Sequence, residues 1–316
     1  MSAGQRLPGT PQPMHHWQGM GGIRLAGDSW GDPSGPLVVL QHGGGQTRHA
    51  WKGTGEVLGA AGYWAVAFDA RGHGDSDWAA DGTYGQDAMV QDLQCLLAQL
   101  GNRRPVLVGA SMGGGTSLVA AGEHCVDAQA LVLVDIAARI EPEGVQKIHA
   151  FMTRNPQGFD SLEQVADAIA SYQPHRVRPR NLQGLAKNVR LGADGRYHWH
   201  WDPRLRQGSR DLALRQARLE ACARALDVPM LLVRGGLSDV LSEEGVREFL
   251  DLVPGSEYVN VTSAGHMVAG DRNDTFGKAV VEFLTRVVPP SGAQLQPLQR
   301  QELISRLNET DLNDVP

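Results

Sequence analysis

A chain of 316 residues, 41% hydrophobic and 20% charged, is long and apolar enough to bury a large core, which excludes intrinsic disorder. Its 29 basic against 35 acidic residues leave a formal charge of −6, which argues against a general nucleic-acid role. Three widely spaced cysteines, Cys95, Cys125 and Cys222, make neither a disulfide framework nor a zinc site and fit a reducing compartment.

The first 13 residues are rich in Pro and Gly, contain no apolar stretch of the secretory kind, and are expected to be mobile. No run approaches the roughly 20 apolar residues of a membrane span. A cytoplasmic location without membrane partners is therefore expected, and the sequons at Asn260 and Asn308 are read as chance matches. His15–Met20 and Ile23–Asp28 predict an antiparallel hairpin. Short apolar runs bounded by Gly, Pro or Asp follow at Leu37–Leu40, Trp64–Phe68, Pro105–Val108, Ala130–Val134 and Pro229–Val233, with a weaker one at Tyr258–Val261. Such runs predict parallel strands buried on both faces. Between them Gln86–Leu100, Ser242–Leu252 and Thr275–Val287 repeat apolar residues at helical spacing. Strands alternating with helices predict an α/β fold with a doubly wound parallel sheet.

The rhythm breaks from Ala137 to Leu226. This polar, helix-like stretch is interrupted by Pro142, Pro156, Pro174, Pro179 and Pro203 and holds no convincing buried strand. It is read as an insertion over one edge of the sheet. The expected units are residues 1–136 and 227–288 as two parts of one core, 137–226 as a helical cap, and 289–316 as a tail. One amphipathic helix near Gln301–Leu307 in that tail serves either as a homodimer contact or as a solvated appendage.

The strongest chemical signal is Gly109-Ala110-Ser111-Met112-Gly113, directly after the run PVLV and before helix-like residues. A serine between glycines at a strand-to-helix turn is lifted above the sheet, because the flanking positions must approach other backbone where a Cβ would clash. Ser111 is then a nucleophile, and the Met112 N–H faces the oxyanion of a tetrahedral intermediate. His42-Gly43-Gly44-Gly45 follows an earlier strand and offers a second N–H from Gly44, with Gly45 as runner-up. His42 is read as a loop-holding residue. His266, in a Gly-bearing loop after the last strand, is the expected base. Asp239, in the short loop after PMLLVRGG, is the expected acid. Asp135, at the end of LVLVD, is its competitor, alternatively a cap of the turn into the insertion.

Together these pieces resemble the α/β-hydrolase superfamily, in the branch with a helical cap after the sixth strand, over about residues 15–288. Asp69-Ala70-Arg71-Gly72-His73-Gly74-Asp75-Ser76 resembles that branch's turn after the fourth strand and is expected to be structural, as is Asp77. The resemblance implies a mostly parallel eight-stranded sheet with helices on both faces and a triad of Ser111, Asp239 and His266. It also implies oxyanion donors at Gly44 and Met112 and a carboxylic ester hydrolase of small or medium substrates that needs no cofactor or metal. Ser111 stands where haloalkane dehalogenases and most epoxide hydrolases of the branch carry aspartate, which argues against both activities. The same triad also serves lactone or C–C bond hydrolysis, perhydrolysis and cyanohydrin cleavage. A slow-turnover ligand sensor and a cofactor-independent oxygenase are further alternatives.

Tyr197–Pro203 is dense in aromatics and is read as packing of the insertion rather than a pocket wall; His198 and His200 in it lack an evident third metal ligand. His175, Arg176, Arg178, Arg180, Lys187 and Arg190 form a basic stretch, read as a solvated face rather than an attractor of an anionic substrate or acidic carrier.

Overall fold

Among the described residues eight strands form one sheet in the order β1-β2-β4-β3-β5-β6-β9-β10. They are β1 His15–Gln18, β2 Arg24–Trp30, β3 Leu37–Gln41, β4 Trp64–Phe68, β5 Val106–Ala110, β6 Ala130–Val134, β9 Met230–Gly235 and β10 Glu257–Val261. Only β2 runs against its neighbours; the rest of the ladder is parallel. This computed structural model describes residues 3–173, 182–206, 211–268 and 273–290. The expected tail helix and four of the six basic residues of the insertion (His175, Arg176, Arg178 and Arg180) lie outside the described residues.

The central strands are buried along their whole length. Their side chains alternate between two cores, as the two-residue period of a strand requires. Leu37, Val39, Leu107, Leu131, Leu133 and Leu232 join one cluster. Val38, Leu40, Val106, Val108, Val132 and Val233 join the other. The first is covered by α2 (Gln86–Gln99), α3 (Met112–Gly122), α6 (Leu212–Arg224) and α7 (Glu243–Leu252). The second is covered by α1 (Lys52–Ala60) and α8 (Asn273–Val287), through residues such as Leu58, Phe276 and Phe283. Each fully buried side chain of this kind contributes about 1.5–3 kcal/mol relative to exposure.

The helix α3 packs against the sheet through glycine. A Cβ on Gly113 would lie 2.4 Å from the Gln41 carbonyl oxygen, one on Gly109 2.4 Å from that of Gly113, and one on Gly114 2.4 Å from Ile136 Cγ2. Gly113→Ala is therefore expected to push α3 off β3 and cost about 1–3 kcal/mol. A thermal melt unchanged from wild type would contradict this packing argument.

Between β6 and β9 the chain forms α4 (Pro142–Thr153), α5 (Leu162–Tyr172), a hairpin of β7 (Val189–Leu191) with β8 (Tyr197–Trp199), and α6. Thus the insertion does contain strands, too short for a buried-run pattern to register. The N-terminal segment, expected to be mobile, is tied to this hairpin. Gln5 and Leu191 exchange two backbone hydrogen bonds of 2.8 Å, and Arg6 Nε lies 2.9 Å from Asp75.

Candidate active site

Ser111 stands between β5 and α3 with φ 47° and ψ −107°, a backbone conformation that an L-residue adopts only where its surroundings enforce it. Its N–H donates to the Val134 carbonyl at 3.1 Å, and the Gly115 N–H one turn on donates to its own carbonyl at 2.9 Å. The serine is thus clamped at the top of the sheet by the neighbouring strand and the helix it begins.

His266 lies in the loop after β10. Its Nδ1 is 2.6 Å from Asp135 Oδ2, so the ring donates through Nδ1 and keeps Nε2 for other work. Asp135 follows the last residue of β6, is 0% exposed, and has φ 50°. Its Oδ1 accepts the Gly235 N–H at 2.9 Å, and its Oδ2 also accepts from the Ser238 hydroxyl. A carboxylate so buried needs every oxygen satisfied, and here each is.

Asp239, the residue expected in that position, is elsewhere. Its side chain is 45% exposed and accepts from Lys147 Nζ at 2.8 Å on α4. The loop after β9 explains the displacement. Gly236 N–H donates to Val261 at 2.8 Å, Leu237 N–H to Ala264 at 2.9 Å and Ser238 N–H to Gly235 at 2.9 Å. This tight turn aims Ser238 inward, and Asp239 leaves toward α4, where its backbone packs so close to Gly144 that a Cβ there would lie 2.2 Å from the Asp239 oxygen. The expected pairing of Asp239 with His266 is corrected to Asp135.

Ser111, Met112, Gly44 and His266 line one cavity of about 220 Å³. Around its glycine loop, Gly43 N–H donates to Gln46 Oε1 at 2.8 Å and Gly45 N–H to His73 Nε2 at 3.1 Å. The Gly44 N–H makes no hydrogen bond among the described residues. Met112 opens α3, where an N–H has no carbonyl one turn below it. His42 holds the loop as expected, with Nδ1 2.8 Å from the Gly43 carbonyl and Nε2 accepting the Ala70 N–H at 2.9 Å. Burial pushes its imidazole below the ordinary value, so it is neutral.

Beyond the loop the wall is apolar and comes from the insertion: Ile148, Phe151, Ile169, Tyr172, Trp199 and Trp201. Trp199 stacks on Trp201 at 4.8 Å and Phe151 on Tyr172 at 4.3 Å. The aromatic run read as packing therefore also lines the cavity. His198 pairs with Asp194 at 2.9 Å, and no group of three His, Cys, Asp or Glu among the described residues could hold a metal ion. In the turn after β4, Arg71 and Asp77 serve the scaffold. Arg71 makes a two-pronged pair with Asp92 at 2.6 and 2.7 Å, and Asp77 accepts the Arg24 N–H at 3.0 Å.

The model of the α/β-hydrolase fold family matches residues 36–272. An esterase of Mycobacterium tuberculosis is 29% identical over 270 residues, covering 82% of this chain and 84% of that protein. A 3-hydroxybutyrate-oligomer hydrolase of Cupriavidus necator is 30% identical over 258 residues, covering 77% of this chain and 87% of its own. Among solved structures, an α/β hydrolase from Novosphingobium aromaticivorans superposes with a TM-score of 0.73 at 26% identity, over 88% of this chain and 100% of that one.

Proposed function

The chain belongs to the α/β-hydrolase family, and from that premise we propose that it hydrolyses carboxylic esters through an acyl-enzyme on Ser111. His266 Nε2 takes the Ser111 proton as the oxygen attacks the ester carbonyl and returns it to the leaving alcohol. Asp135 holds the imidazole in the Nδ1–H tautomer and balances the imidazolium that forms. Gly44 and Met112 N–H groups receive the oxyanion. Water activated by His266 then releases the acid. No step calls on a metal or cofactor.

The observation that supports this most is the buried Asp135–His266 pair opening onto the same cavity as a conformationally clamped serine. The similar proteins include an esterase and a 3-hydroxybutyrate-oligomer hydrolase by name, which supports the ester reading. The insertion acts as a cap, since its aromatic residues close the acyl or alcohol side of the cavity and favour a small or medium substrate.

A fluorophosphonate probe tests the assignment. Ser111 Oγ should form one P–O bond with loss of fluoride, giving a single adduct by intact mass, mapped to Ser111 by peptide mass and absent in Ser111→Ala. Folded wild-type protein that stays unlabelled and turns over no p-nitrophenyl ester would refute the acyl-enzyme and favour a ligand sensor.

A further inference from the structure

Three histidines from three parts of the chain hold three consecutive peptide planes of the glycine loop. His42, after β3, lies 2.8 Å from the carbonyl of the 43–44 plane. His73, in the turn after β4, accepts the N–H of the 44–45 plane at 3.1 Å. His200, just after β8 of the insertion, lies with Nε2 3.2 Å from the carbonyl of the 45–46 plane. The N–H of that last plane closes the turn onto Gly43 at 3.1 Å. The one N–H of the loop left for a ligand, that of Gly44, is fixed in direction by these anchors.

His200 differs from the other two because it is the insertion's own. It is 1% exposed. Its Nδ1 accepts the Gly74 N–H at 2.8 Å, which leaves the proton on Nε2 to donate to Gly45. Its ring stands edge-on to Trp201 at 5.2 Å and 6.0 Å from His73. Burial, with His73 and then Arg190 nearby, holds it well below the usual imidazole value, and Asp69 opposes them only in part; the ring is neutral. We infer that His200 is a positioning residue of the oxyanion hole: docking of the insertion sets the Gly44 N–H through the His200–Gly45 bond. This rests on the ester-hydrolase reading above.

Two conservative variants separate the two ring nitrogens. The amide of Gln reaches the place of Nε2 and can still donate to Gly45. The carbonyl of Asn reaches the place of Nδ1 and can still accept from Gly74. His200→Asn should lower kcat about 10–100-fold with KM within about twofold, short of the loss of a whole oxyanion donor, while His200→Gln keeps kcat within about threefold. A trifluoromethyl ketone, which forms an oxyanion on Ser111, should lose affinity for His200→Asn in parallel with kcat/KM. Wild-type kcat in His200→Asn, or equal losses in both variants, would overturn the inference.

Melting temperatures of both variants accompany the kinetics. Should either melt before assay, imidazole ¹⁵N NMR of the wild type decides. His200 is expected to carry its proton on Nε2 and to shift when the ketone adduct forms, and an unmoved signal overturns the proposal. Wild type that neither labels nor turns over refutes the site reading itself. Wild type that does both, beside an unimpaired His200→Asn, refutes this inference alone.

Discussion

Asp135→Asn is expected to lower kcat for a p-nitrophenyl ester about 10⁴-fold, while Asp239→Asn stays within about threefold of wild type. The asparagine amide at 135 can still face His266, but it presents an N–H2 where the ring needs an acceptor. The imidazole then turns its protonated nitrogen toward Ser111, or loses its anchor, and can no longer take the serine proton. Asp135 also binds the Gly235 N–H at 2.9 Å and the Ser238 hydroxyl, so some loss of stability accompanies the kinetic loss. Among the described residues the Asp239 side chain pairs with Lys147 at the surface, an exposed pair of the kind worth between nothing and about 1 kcal/mol. A crippled Asp239→Asn beside an active Asp135→Asn would reverse the assignment.

Arg48→Met should destabilise the fold by about 3–5 kcal/mol at neutral pH, a large share of a typical domain's margin. Arg48 is 0% exposed and pairs with Asp69 at 2.6 Å, Asp28 at 2.9 Å and Asp75 at 2.9 Å. Methionine fills the volume but leaves buried carboxylates without their cation. Burial by itself pushes the Asp69 carboxyl up, but Arg48, the neighbouring His42 and the backbone N–H groups of Asp75 and Arg48 together outweigh it and hold the group at about 2. A carboxyl depressed in the folded state stabilises above its unfolded value near 4 and loses that contribution as pH falls toward 2. In the variant the same group is freed to take a proton. The gap in melting temperature between wild type and Arg48→Met should therefore narrow as pH drops from 7 to about 3. A gap independent of pH would mean that the loss is one of packing, not charge.

The parallel sheet was legible because fully buried strands are written as unbroken apolar runs. Leu37–Gln41, Ala130–Val134 and their neighbours need no partner information to be found. The serine turn was legible because its glycines are demanded by local geometry. Helix α1 was not, because Gly53, Gly55 and Gly59 lower its intrinsic propensity. Two of them are there for contact: a Cβ on Gly55 would lie 2.2 Å from Trp30, and one on Gly59 2.8 Å from the Gly31 nitrogen. Tertiary packing forms that helix, and local sequence does not announce it.

The acid was misplaced for a similar reason. Asp135 and Asp239 both follow buried strands between the serine and the histidine in the chain, so order alone admits either. What decides is a turn of backbone after β9 that swings Ser238 inward. The available signal was adjacency: Val134 pairs with Ala110 in the sheet, which puts Asp135 one strand from Ser111. His73 lay in the motif of the turn after β4 and His200 in the aromatic run, but neither pattern announced a bond to the glycine loop, which exists only in the folded chain.

Asp75 offers a last consequence. One carboxylate receives Arg6 from the N-terminal segment, Arg48 from the chain after the glycine loop, and Arg190 from the insertion, each at 2.9 Å. Three stretches remote in sequence are thereby tethered at one point, behind the turn that carries His73. Trimming the opening residues, which look dispensable on composition, would remove a strut and leave Asp75 with two partners. The loosening would travel first to the β7–β8 hairpin, which loses its Gln5 partner as well, and from there to the aromatic wall. A protease-sensitive insertion in a shortened chain would be the visible mark of that linkage.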